Sequence, residues 1–139
     1  SLDSGGIGEM GGIRILEWER FGEEVEKYRR KFIEKFSGFK GKKVFVFGAP
    51  AKGVTFLNFM KLGSEEIAFA VDSTPLKQGK FLPGTGIPVY SEEYLENTEA
   101  EVCLLLAWNY NEEILKKLKA LKKLLKVILP FPDFIVIDI

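Results

Sequence analysis

The chain has 139 residues, 46% of them hydrophobic, and its 20 basic and 20 acidic residues cancel. That apolar content excludes a disordered chain, and the cancelled charge removes the global field that would gather nucleic acid or an anionic membrane surface. With no histidine and one cysteine, neither a zinc site nor a histidine general base is expected.

The first residues, 1–17, are rich in glycine and poor in apolar periodicity, so they read as a flexible lead or the remnant of something larger upstream. No signal-peptide pattern and no run of about 20 apolar residues occurs, which implies a cytoplasmic protein with no membrane partner. The domain proper is expected from 18 to 139. From Trp18 the residues Phe21, Val25, Tyr28, Phe32 and Phe36 recur every three or four positions, the mark of an amphipathic helix that Ser37-Gly38 ends.

After Gly41 short apolar runs alternate with helical patterns. Strands are predicted at Val44 to Phe47, Ile67 to Val71, Ile87 to Tyr90, Val102 to Ala107, Val127 to Leu129 and Phe134 to Ile137. Helices are predicted at Ala51 to Lys61, Glu92 to Leu95 and Glu112 to Leu125. Fully apolar strands alternating with helices imply a mainly parallel sheet covered on both faces, so the fold class is α/β: a Rossmann-like three-layer domain behind an N-terminal amphipathic helix. The lysine-rich last helix, from Lys116 to Lys126, is read as a solvated face over an apolar stripe. Cys103 sits in an apolar strand and is expected to be a small buried hydrophobe.

The turn Gly48-Ala49-Pro50-Ala51-Lys52-Gly53 carries the clearest functional signal. A strand that runs through glycine into a helix start presents unpaired N–H groups and a positive dipole end, which favour an anion, and Lys52 adds charge. Gly53 is followed by Val54-Thr55, so the P-loop lysine and magnesium ligand are missing, and Pro50 breaks the dinucleotide glycine pattern. Pro50 is expected just inside the helix. An ordinary strand-to-helix turn would use the same glycines.

In a doubly wound sheet the first and fourth strands lie side by side, and ligands bind beyond their carboxyl ends. This brings the Gly48 turn beside Trp108-Asn109-Tyr110-Asn111, where an amide and aromatic faces are available for a sugar or base; Asn109 or Asn111 could equally cap the next helix. Asp72 closes the second strand, the place of a ribose-binding carboxylate or of a turn-initiating Asp. The long segment from Pro75 to Gly86 adds Lys77, Gln78, Gly79 and Lys80, with prolines that argue for a fixed path.

Taken in order, these residues resemble the C-terminal domain of S-adenosylmethionine-dependent sugar C-methyltransferases, which methylate a ring carbon of nucleotide-linked deoxysugars. The matching motifs are Gly48-Ala49-Pro50-Ala51-Lys52-Gly53, Asp72 with Pro75-Leu76-Lys77-Gln78-Gly79-Lys80, Pro83-Gly84-Thr85 with Ile87-Pro88-Val89, and Trp108-Asn109 before Glu112-Glu113-Ile114. Leu129-Pro130-Phe131-Pro132 is similar to the family's closing segment, and Gly11-Gly12-Ile13-Arg14 to the tail of its upstream methyltransferase domain. Val54 stands where the family commonly has Asn, and Gly86 where it often has a polar residue.

The resemblance implies a substrate-positioning domain that binds a nucleotide diphosphate sugar through Gly48, Ala49, Pro50, Ala51, Lys52, Gly53, Asp72, Lys77, Gln78, Gly79, Trp108 and Asn109. It implies no catalytic residue and no cofactor in this chain, S-adenosylmethionine and the catalytic base belonging to an upstream methyltransferase domain joined in cis or in trans. The isolated chain is then expected to be inactive. Two other classes stay open: a docking module that pairs with a separate methyltransferase polypeptide through the aromatic helix face, and, more weakly, an independent dehydrogenase-like enzyme.

Overall fold

The computed structural model describes residues 4–48, 50–106, 111–130 and 134–139, with side chains from residue 19 onward except 21 and 111. The chain divides into two compact units, Ser1–Glu34 and Lys35–Ile139. Helix α1 spans Ser4–Phe36 and so begins well before Trp18. Of its apolar stripe, Phe32 and Phe36 are buried and Val25 and Tyr28 half-buried; the side chains of Trp18 and Phe21 lie outside the described residues. A 3₁₀ turn at Ser37–Phe39 ends the helix where Ser-Gly lowers helical propensity.

The second unit is built on a six-stranded sheet in the order β3-β2-β1-β4-β5-β6. The strands are β1 (Val44–Phe47), β2 (Phe69–Val71), β3 (Val89–Tyr90), β4 (Val102–Leu105), β5 (Lys126–Leu129) and β6 (Ile135–Asp138). All neighbours pair parallel except β5 and β6. This is the order of a doubly wound Rossmann-like sheet, closed at one edge by an antiparallel strand. Between the strands lie α2 (Ala51–Phe59), a 3₁₀ helix (Glu92–Asn97) and α3 (Asn111–Ala120).

Every residue of β1, β2 and β4 is buried, as strands covered on both faces require. Alternation then sorts the side chains. Phe45, Phe47, Phe69, Val71, Cys103, Leu105 and Val127 share one face with Ile114 and Leu118 of α3 and with Leu95. Phe45 and Phe69, paired in register, stack with centroids 5.3 Å apart. At about 1.5–3 kcal/mol for each fully buried large apolar side chain, this face is a main source of the unit's stability. On the other face α2 packs closely: a Cβ added to Gly53 would stand 3.1 Å from Leu106 Cβ.

Helix α3 stops at Ala120 rather than at Leu125. Lys122 takes a left-handed φ of 54°, and Leu125 is buried while its backbone exchanges hydrogen bonds with Ile139. The apolar repeat continues past the helix because Leu125 enters the same core from extended chain. Among the described residues, no helix is long and apolar enough to cross a membrane.

Candidate functional site

Strands β1 and β4 pair from Val44↔Val102 to Phe47↔Leu105, so their carboxyl ends open side by side as a doubly wound sheet demands. Beyond β1, Gly48 turns the chain at φ 86°, a conformation easy only for glycine, while its N–H donates to Val71 O at 2.9 Å. Pro50 follows with an extended ψ of 160° and is the N-cap of α2, one position earlier than a first helical residue. Its carbonyl accepts the Val54 N–H at 3.0 Å, the first bond of the helix. The N–H groups of Ala51, Lys52 and Gly53 therefore lack helical acceptors and point out at the carboxyl edge. The first turn of α2 contains no acidic residue.

The segment after β2 is folded back on this edge. Asp72 is 8% exposed, and its Oδ1 accepts the Thr74 N–H at 2.8 Å while Lys77 Nζ stands 3.7 Å from Oδ2. Gln78 Nε2 donates to Asp72 O at 2.8 Å, which spends that amide on holding the turn. Gly79, at φ 80°, donates its N–H to Val89 O, Val89 donates to Lys80 O, and Leu82 donates to Ile87 O. The long connector is thus pinned against β3. Its tip is fixed by Asn58 of α2, whose Nδ2 donates to Pro83 O at 3.1 Å.

These elements enclose a cleft of about 340 Å³ lined by Gly48, Pro50, Asp72, Ser73 and Lys77 on one side and by Glu92, Glu113 and Lys117 on the other. Lys117 Nζ lies 3.3 Å from Glu92 Oε1 across it. The two helix starts that flank the cleft differ in charge: α3 carries Glu112 and Glu113 in its first turn, α2 carries no acid. An anion is favoured at α2 and hydroxyl groups beside the carboxylates.

Of the residues expected from sequence, Gly48, Pro50, Asp72 and Lys77 meet at this cleft. Ala51 borders a neighbouring hollow, Gly53 is packed against Leu106, and Gln78 and Gly79 shape the loop. Lys52 is exposed on α2 and lines neither hollow. Ala49, Trp108 and Asn109 lie outside the described residues, as do Tyr110 and Phe131-Pro132. Glu92, Glu113 and Lys117 were not anticipated, Lys117 having been read as part of a solvated face. Their signal was positional: each lies in the first two turns of the helix that follows the carboxyl end of β3 or β4. Cys103 lies inside the sheet and does not line this cleft, and burial pushes its thiol well above the ordinary range.

The chain is similar to C-methyltransferase NovU of Streptomyces niveus, with 40% identity over 119 residues that make up 84% of this chain and 28% of the relative. It spans little more than a quarter of the length of that curated relative. The crystal structure of UDP-D-quinovosamine 4-dehydrogenase from Vibrio fischeri superposes with a TM-score of 0.49 at 21% identity, covering 70% of this chain and 93% of that one. The family model described as the C-methyltransferase C-terminal domain matches residues 9–132, and the chain belongs to that family.

Proposed function

We propose that this domain holds the nucleotide diphosphate of a nucleotide-linked sugar and so positions the sugar for carbon methylation completed with a separate methyltransferase domain. One observation carries the reading: an acid-free first turn of α2 stands beside Lys77 and Asp72 at the carboxyl edge of β1 and β2. The N–H groups of that turn, its dipole end and Lys77 suit the diphosphate. Asp72, Glu92 and Glu113 suit hydroxyl groups of ribose or sugar. Family membership and the C-methyltransferase relative supply the reaction class.

In this reading the chain contributes orientation. Fixing a reactant in a productive geometry removes about 7 kcal/mol or more from a barrier in favourable cases. S-adenosylmethionine would supply the methyl group. Its sulfonium cation does not suit the acid-free helix start beside Lys77 where the diphosphate is placed, and no step is assigned to that cofactor within this chain.

Calorimetric titration with thymidine, uridine, cytidine and guanosine diphosphate sugars tests the reading, with inorganic pyrophosphate as competitor. Saturable binding that pyrophosphate displaces is expected for at least one of them, with no methyl transfer when S-adenosylmethionine and a keto-sugar nucleotide are supplied to the chain alone. Failure of every nucleotide sugar to bind, or turnover by the chain alone, overturns it.

A further inference from the structure

A second hollow, of about 490 Å³, opens between the start of α2 and the segment from Leu76 to Pro83. Its walls are apolar, formed by Val54, Leu82 and Val89, and among the described residues Lys77 and Lys80 are the charged ones that line it. Lys77 also lines the Asp72 cleft, and Ala51, the first residue of α2, borders the hollow. The hollow therefore borders the anion-favouring turn. At its mouth Leu76 and Phe81 are 79% and 66% exposed. Large apolar groups left in water beside an apolar cavity gain from a ligand that covers them.

The combination selects a ligand chemistry. Inorganic phosphate offers only polar surface to Leu76, Phe81 and Val54, and a bare sugar, whose apolar C–H faces are small, brings no charge to Lys77 and Lys80. A flat heterocycle joined to an anion satisfies both the apolar walls and the two lysines. We propose that this hollow seats the base of the bound nucleotide, with the diphosphate crossing the first turn of α2 and Lys77, and the sugar lying in the Asp72 cleft. The inference rests on the nucleotide-sugar reading and adds a direction to it: base on the α2 side, sugar on the α3 side.

The test compares the 139-residue chain with a Leu76→Ser/Phe81→Ser variant. Both side chains are exposed, so the variant is expected to fold, which its thermal midpoint checks. Thymidine diphosphate and inorganic pyrophosphate are the probes. The variant should bind thymidine diphosphate at least about fivefold more weakly, as loss of ring contacts predicts, and bind pyrophosphate unchanged. Base protons of bound thymidine diphosphate should show nuclear Overhauser effects to the methyl groups of Val54 or Val89. Unchanged thymidine diphosphate affinity, equal weakening of both probes, or base contacts confined to other methyl groups overturns the inference while leaving the nucleotide-sugar reading in place. Binding of none of the thymidine, uridine, cytidine and guanosine diphosphates, nor of pyrophosphate, by the unsubstituted chain overturns both.

Discussion

Lys77 Nζ faces Asp72 Oδ2 across 3.7 Å, joining the loop after β2 to the strand end that it follows. Lys77 is nearly half exposed, so the pair itself stabilises the fold by only about 0–1 kcal/mol. Its value lies in where it leaves a cation and a carboxylate, both on the wall of one cleft. An Asn at position 72 retains an oxygen for the Thr74 N–H and loses the charge. Asp72→Asn is therefore expected to keep the thermal midpoint within about 4–8 °C. Nucleotide-sugar affinity is expected to fall about tenfold, the loss of one charge-assisted bond. Calorimetry together with thermal melts checks the split. A collapse of stability with unchanged affinity would assign Asp72 to the turn alone.

Gly84 has a φ of 75°, and a Cβ there would stand 2.5 Å from Asn58 Oδ1. Gly84→Ala is thus strained by both backbone and contact, and it should destabilise the chain by about 1–3 kcal/mol. Asn58→Ala removes donations to Val54 O and Pro83 O, at a cost of about 1 kcal/mol per bond. Because the small alanine also relieves the contact with residue 84, the double variant should be more stable than the sum of the two losses predicts. Urea melts of the four proteins measure the coupling. Strict additivity would show that backbone strain alone accounts for Gly84.

Cys103 is fully buried between β1 and β5, and loss of hydration raises its thiol pKa, a shift only partly opposed by a backbone hydrogen bond from Phe47. The folded state thus holds the proton at pH values where the unfolded chain releases it. This contribution is complete below the unfolded thiol pKa of about 8.5 and declines above it by about 1.4 kcal/mol per pH unit. Cys103→Ala should lower stability at neutral pH by leaving a small void, yet flatten the alkaline fall. Denaturant melts between pH 7 and 10 test this, and thiol-specific reagents should label Cys103 only on unfolding.

The sheet was legible because its inner strands are apolar throughout: the adjacency of β1 and β4 follows from alternating elements and the chirality of crossovers. The antiparallel turn of β6 was not, since Phe134 to Ile137 reads as a strand with no mark of direction. Helix α3 was overextended for a physical reason, Leu125 keeping the apolar spacing after Lys122 has left the helical conformation. At the site, local signals found the Gly48 turn and Asp72. They pointed to both Lys52 and Lys77; Lys52 is exposed and lines neither hollow, whereas Lys77, five residues beyond Asp72 and brought back by an Asx turn, lines the cleft together with Lys117. Glu92 and Glu113 depend on tertiary placement that no local pattern encodes.

Backbone amide shifts followed during titration of the chain with nucleotide diphosphate sugars would report binding at the carboxyl edge of β1 and β2 residue by residue. Saturable shifts centred on Gly48, Ala51 to Gly53, and Asp72 to Lys77 are expected, reduced when Lys77→Ala is introduced. Shifts confined to other parts of the chain, or no shifts at millimolar ligand, would contradict the nucleotide-sugar reading.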